Sequence, residues 1–243
     1  MARSEHVDLL VFGAHADDVE LSSGGTIITA IQQGQRVGIV DLTHGEMGTR
    51  GTPELRLRES RAAQKILGAA FRERCDFGDG QLRTGREEEL VVIDLIRRHR
   101  PSLIIAPYPD DRHPDHGRAG RLVTEAAFYA GLVRIESGEK AHRPQAVIYQ
   151  MMTYTVEPTL VVDVTKAWSR KMKAIAAYRS QFYNPASKER PTILSQKNFL
   201  DRIEGRARHF GSLIGAVYGE PFFSKQPPKV MDLISAFSGR EVS

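Results

Sequence analysis

The stretch Val7-Asp8-Leu9-Leu10-Val11-Phe12-Gly13-Ala14-His15-Ala16-Asp17-Asp18-Val19-Glu20 decides the fold. Val7 to Phe12 is a short run rich in apolar, β-branched and aromatic side chains that ends at Gly13, which reads as a strand. A polar turn follows, and Gly24 to Gly34 (GGTIITAIQQG) reads as a helix stopped by its last glycine. Strand, turn and helix in that order open a βαβ unit.

Working outward, the same alternation recurs. Val37 to Leu42 repeats the strand signal, and a Gly-rich loop (THGEMGTRGTPE) leads to a helix over 54–67, where Leu55, Ala62, Ala63, Ile66 and Leu67 recur at helical spacing. Thr52 and Pro53 supply its cap and first-turn proline. A strand is expected over 71–77, a helix over 87–98, a buried strand at SLIIAP after Pro101, a helix near 118–133, and strands at 146–150 and 160–164. The remainder reads differently: an amphipathic helix over 166–179, a loop through 184–191, a helix near 195–214 and a proline-rich tail. Right-handed βαβ units imply an α/β fold with a mostly parallel sheet, helices on both faces and a mixed C-terminal extension. No repeat or linker divides the chain, so residues 1–243 are expected to form a single domain. Ligands of such sheets bind beyond the carboxyl ends of the strands.

The composition agrees with a globular protein: 243 residues, 41% apolar and 26% charged. The 34 Lys and Arg against 30 Asp and Glu leave +4 without a run of like charges, so no nucleic-acid partner is expected. One cysteine, Cys75, cannot form an intrachain disulfide, and no stretch approaches the ~18 apolar residues of a membrane span. The expectation is a cytoplasmic protein with no membrane partner. The glycines at 13, 24 and 25 do not make G-x-G-x-x-G and there is no Walker A pattern, so the topology is not read as nucleotide binding.

Two loops that follow predicted strands concentrate ligand-type side chains. One is His15-Ala16-Asp17-Asp18-Val19-Glu20, the other His113-Pro114-Asp115-His116. In a turn running into a helix, residues three apart share a side, so His15 and Asp18 can converge on one ion and leave Asp17 aimed elsewhere. A histidine of the second loop would complete a two-His, one-carboxylate site with an open position, the arrangement of catalytic zinc; non-haem iron uses the same set. Spacing does not choose between His113 and His116. Asp17 can then take a proton from water, and the histidine that is not a ligand can stabilise the oxyanion, oriented by Asp115. As rival readings, the first loop is a helix cap and the second a proline turn.

These residues resemble a known family. GAHADDVE is similar to the Ala-His-Pro-Asp-Asp-x-Glu signature of the LmbE-like, or GlcNAc-PI de-N-acetylase, superfamily, and HPDH resembles its second metal motif. THGEMGTRGTPELRLRESRAAQKILG, APYPDDRHPDH, YRSQF and LIGAVYGEPFF resemble the branch that deacetylates N-acetylglucosaminyl L-malate in bacillithiol biosynthesis. The resemblance implies a Rossmann-like fold, zinc held by His15, Asp18 and His116, Asp17 as general base, and His113 as oxyanion stabiliser or acid held by Asp115. It also implies a small amino-sugar substrate and a homo-oligomer. Ala16 stands where the signature has proline, which loosens the turn without removing a chemical group.

Substrate contacts are expected from arginines, because an acidic malate group favours a bidentate guanidinium. Arg50, Arg56, Arg112 and Arg143 are the candidates. Arg56 and Arg143 gain from the resemblance, as does Asp79 in GDGQ, a candidate acceptor for sugar hydroxyls. The alternatives are a deacetylase of another amino sugar, and a catalytically silent sugar-binding or assembly protein.

Overall fold

Strand β1 (Leu9–Gly13) turns Leu9 and Val11 to one face and Leu10 and Phe12 to the other, and all four are buried. A strand apolar on both sides needs cover on both, which is the condition of a parallel sheet. In this computed structural model, which describes residues 6–237, β1 pairs in parallel with β2 (Val37–Asp41) and β4 (Leu103–Pro107). Beyond them lie β3 (Phe71–Arg74) on β2 and β5 (Ala146–Gln150) on β4, both parallel. Helices α1 (Asp18–Gln32), α2 (Pro53–Leu67) and α5 (Trp168–Ile175) cover the face of Leu9 and Val11. Helices α3 (Arg86–His99) and α4 (Pro114–Ala130) cover the other. Among the described residues, no helix is long and apolar enough to cross a membrane.

The sheet runs β3-β2-β1-β4-β5 and then adds two strands of the C-terminal part, β7 (Gly219–Ser224) and β6 (Leu160–Asp163). β7 lies antiparallel between β5 and β6, so the seven-stranded sheet is mixed at this edge only. Because β1 leads to β2 on one side and β4 to β5 on the other, the strand order reverses between β1 and β4. A crevice opens at such a switch point.

Several boundaries differ from the sequence expectation. Helix α1 begins at Asp18 rather than Gly24, and α4 at Pro114 rather than Arg118, so both ligand-bearing loops run straight into helix N-termini. The expected helix over 195–214 shortens to α6 (Phe199–Ser212). Strand β7 lies in a segment that reads as proline-rich tail. Pro221 does not prevent it, because the β5 register begins at Phe222 and the missing N–H falls outside that ladder.

One buried ion pair ties the C-terminal strands to the first helix. Lys171 on α5 donates to Glu220 Oε1 at 2.6 Å and to the Leu21 carbonyl at 2.9 Å, while Glu220 accepts the Gly25 and Thr26 amides at 2.8 and 2.7 Å. Gly25 is required here, since a Cβ would sit 2.7 Å from Val164 and 2.9 Å from Glu220. Both charged side chains are almost fully buried, so removing one strands the other. Lys171→Met is expected to lower unfolding free energy by about 3 kcal/mol in urea denaturation; an unchanged urea midpoint would contradict this role.

Candidate metal centre

The carboxyl ends of β1 and β4 deliver the two loops to the crevice. After β1 the chain turns so tightly that a Cβ on Gly13 would meet the His15 carbonyl and Val19 at 3.1 Å. Asp17 closes the turn at φ 102°, a left-handed conformation that aspartate tolerates better than most residues. The Asp18 carboxylate folds back to accept the His15 amide at 2.8 Å, which locks the two side chains on the same side of the turn.

Asp18 lies between two imidazoles. One oxygen is 3.5 Å from His15 Nδ1 and the other 3.4 Å from His116 Nε2, which joins the β1 loop to the first turn of α4. Each ring has its remaining nitrogen on a second carboxylate: His15 Nε2 on Asp79 at 2.9 Å, His116 Nδ1 on Asp111 at 3.0 Å. His113 stacks on His116 at 4.8 Å between centroids and meets His15 edge-on at 4.9 Å. Donor atoms of His15, His113 and His116 lie within 4.8 Å of one another, as do those of His15, Asp79 and Asp115. The crevice thus gathers imidazole nitrogens and carboxylate oxygens of the kind that hold a divalent ion, the tightest groups being His15 with His113 and His116 and His15 with Asp79 and Asp115, with Asp18 between His15 and His116.

The charges follow from burial against pairing. Burial opposes ionisation of His116, but the carboxylates of Asp18 and Asp111 overcome it and raise its pKa to about 9. His15 is raised as well, because bonds to Asp115, Asp18 and Asp79 outweigh desolvation. Burial outweighs the attraction of Arg56 at Asp17 and lifts that carboxyl to about 7. Its Oδ2 is buried without a hydrogen-bond partner, 3.8 Å from Arg56 Nη2. Burial and the neighbouring His15 and His116 push His113 down, so its ring is neutral. His113 Nδ1 accepts the Asp115 amide at 3.2 Å, so the neutral ring carries its proton on Nε2.

A second buried layer holds the turn in place. Arg72 on β3 donates to both oxygens of Asp41 at 2.7 and 2.8 Å and to Glu20 at 2.5 Å, with all three side chains essentially inaccessible. Glu20 thus anchors the first turn of α1 to the sheet.

The expected site residues divide into three groups. His15, Asp17, Asp18, Asp79, His113, Asp115 and His116 come together in the crevice. Arg56 reaches it from below: it is buried and donates to the Gly45 and Ala16 carbonyls at 3.0 and 2.9 Å, so its hydrogen bonds tie the turn after β1 to the loop after β2. Arg112 is exposed in the second loop. Arg143 is not brought here, because a parallel β5 must restart at the amino edge of the sheet; its guanidinium lies 4.7 Å over Phe128. Arg50 is also occupied elsewhere, donating to the Ser180 carbonyl and Ser187 hydroxyl. The Asp115 carboxylate does not hold His113; it accepts the Gly80 amide at 2.7 Å and pairs with Arg118 one helical turn on. Asp79 takes the Met47 amide as well as His15.

Asp111 and Arg72 are the residues that sequence reading passes over. A short carboxylate two residues before His113 is the signal available for Asp111, since that spacing makes an Asx turn; its carboxylate accepts the His113 amide at 3.1 Å. Nothing local marks Arg72, whose partners are 31 and 52 residues away.

The chain is similar to known proteins over most of its length. Residues 10–127 match the family described as PIG-L, GlcNAc-PI de-N-acetylase. The chain is 34% identical over 189 residues to diacetylchitobiose deacetylase of Thermococcus kodakarensis, covering 72% of this chain and 70% of that one. It is 30% identical to a probable N-acetyl-α-D-glucosaminyl L-malate deacetylase 2 of Bacillus cereus, with 71% and 83% covered, and 27% identical to 4-oxalmesaconate hydratase of Pseudomonas putida, with 71% and 73% covered. A crystal structure of a conserved protein of Thermus thermophilus superposes with a TM-score of 0.85 at 35% identity, over 93% of this chain and 98% of the other. With its Rossmann-like fold and its cluster of histidines and carboxylates at the switch point, the chain belongs to the GlcNAc-PI de-N-acetylase (PIG-L) family of metal-dependent N-deacetylases.

Proposed function

We propose that the chain is a zinc-dependent hydrolase that removes the acetyl group from an N-acetylglucosamine conjugate with an acidic aglycone, N-acetylglucosaminyl L-malate, as one domain acting in a cytoplasmic homo-oligomer. The observation that carries the chemistry is the unpartnered, buried Oδ2 of Asp17 beside the His15, Asp18 and His116 cluster. His15, Asp18 and His116 would hold the metal, zinc before iron because a spare base favours hydrolysis. The ion supplies Lewis acidity and water activation. Asp17 takes the proton of the attacking water, and His113 donates its Nε2–H to the oxyanion formed at the acetyl carbon. The C–N bond then breaks as the proton held by Asp17 passes to the amine, leaving acetate and the free amino sugar.

Support for the acidic aglycone comes from a basin of 530 Å³ beside the cluster, lined by Gly80, Gln81, Leu82, Arg83, Thr84, Arg118 and Arg121. It adjoins the cluster through Asp115, which bonds both Gly80 and Arg118. Arg83, Arg118 and Arg121 line it, Arg118 being already paired with Asp115, and its volume is in the range of small-molecule sites. These guanidiniums, with exposed Arg112, take the place of the buried Arg56 and the distant Arg143 as carboxylate receptors. The 30% similarity to the probable N-acetyl-α-D-glucosaminyl L-malate deacetylase 2 of Bacillus cereus supports this aglycone, whereas the 34% similarity to diacetylchitobiose deacetylase supports the alternative of another N-acetylated amino sugar. Similarity to the hydratase gives a second reading, water addition to a 4-oxalmesaconate-like acid, which the same basin and base would serve; release of acetate from the conjugate decides between them.

Three outcomes test the reading. The protein should retain zinc near one per chain by elemental analysis, and His15→Ala, Asp18→Ala and His116→Ala should each lose it; retention in the triple variant would contradict the ligand set. Asp17→Asn should keep zinc while acetate release falls by about a hundredfold to ten-thousandfold, and turnover at the wild-type rate would refute the base. Finally, kcat/KM for N-acetylglucosaminyl malate should exceed that for methyl N-acetylglucosaminide by about tenfold or more, the worth of a charge-assisted hydrogen bond. Joint Arg83→Gln and Arg121→Gln substitution should shrink that ratio, and equal values in the wild type would reject malate recognition.

A further inference from the structure

Asp111 is placed where a side chain can serve two loops at once. Its carboxylate is 1% exposed and lies between the metal-centre loop and the segment that leaves β5. Oδ1 faces His116 Nδ1 at 3.0 Å and accepts the His113 amide at 3.1 Å. Oδ2 accepts the amides of Thr153 and Tyr154 at 2.8 and 3.4 Å. Arg206 on α6 also holds the same segment by donating to the Met152 carbonyl.

The side chains of Thr153 and Tyr154 are exposed, so packing does not fix them. Their position is set by backbone groups, and both amides end on one carboxylate. That carboxylate is rigid: turning Oδ1 off His116 also carries Oδ2 off the two amides. We infer that Asp111 is a positioning residue that makes order in the 152–154 segment and metal binding at His116 depend on each other. The inference rests on His116 being a ligand, as proposed above. A metal on Nε2 fixes the imidazole and leaves Nδ1–H as a donor, which fixes the carboxylate, which fixes the segment at the carboxyl end of β5 beside the crevice. By reciprocity, an ordered segment tightens metal binding by the same factor.

Asp111→Asn isolates the coupling. An amide has one acceptor end and one donor end, so with metal on His116 either orientation satisfies one loop and points a donor at donors of the other. Asp111→Ala removes both ends. The readouts are zinc affinity, by competition with a chromophoric chelator, and hydrogen exchange at Thr153 and Tyr154 with and without zinc. The Val164 amide, bonded to the Tyr218 carbonyl, reports that the sheet is intact.

In the wild type, zinc should slow exchange at the two amides by about fivefold or more, within the usual range of coupling. In Asp111→Asn that zinc dependence should vanish, and in Asp111→Ala zinc affinity should also fall by about tenfold to a hundredfold. Wild-type coupling in Asp111→Asn, or zinc uptake that leaves both amides unchanged in the wild type, overturns the inference alone. A wild type that takes up no zinc, or takes it up equally after His116→Ala, overturns the ligand reading and the inference with it.

Discussion

The structure of the active crevice depends on a single carboxylate, Asp18, set between His15 and His116. Its two oxygens face two imidazoles that come from opposite sides of the switch point, so it fixes the distance between loops contributed by β1 and β4. A carboxylate buried there without counterions would be very unfavourable. The two histidines supply the opposing charge, the carboxylates of Asp79 and Asp111 orient the histidines from behind, and the Arg72 clamp on Glu20 and Asp41 holds the turn below. Alternating charges of this kind hold a rigid cluster in place, while Asp17 Oδ2, buried without a hydrogen bond and 3.8 Å from Arg56, is left able to accept a proton.

Burial decides which arginines can meet a substrate. Arg56 and Arg50 are nearly inaccessible and satisfy backbone carbonyls, where a guanidinium must bond or destabilise the fold. Arg83 and Arg121 on the basin are exposed, and Arg118 reaches it from the turn of α4 after Asp115. The two sets act at different levels, the first on the shape of the loops and the second on what the crevice can bind.

Much of the fold is legible in the sequence itself. The β1 run and its turn show the period and punctuation of a βαβ unit, and local spacing places His15 with Asp18 because both lie within four residues. The sequence is silent where partners are far apart in the chain. Arg72 with Glu20, His15 with Asp79, and Asp111 with Thr153 join residues 52, 64 and 42 positions apart. Strand β7 is missed for a related reason: its register partners precede it by 72 to 76 residues in β5 and 56 to 62 in β6, and its proline reads locally as a stop. Arg143 shows the opposite error. A loop rich in polar residues is equally compatible with either edge of the sheet, and only the parallel direction of β5 puts it at the edge away from the crevice.

The most direct test of this account is anomalous diffraction at the zinc edge from crystals of the zinc-loaded protein. One peak per chain is predicted between His15, Asp18 and His116, with nitrogen and oxygen ligands at about 2.0–2.2 Å and Asp17 outside bonding distance. A peak held instead by Asp79 and Asp115, or by His113 in place of Asp18, would contradict the assignment of ligand and base on which the chemistry rests.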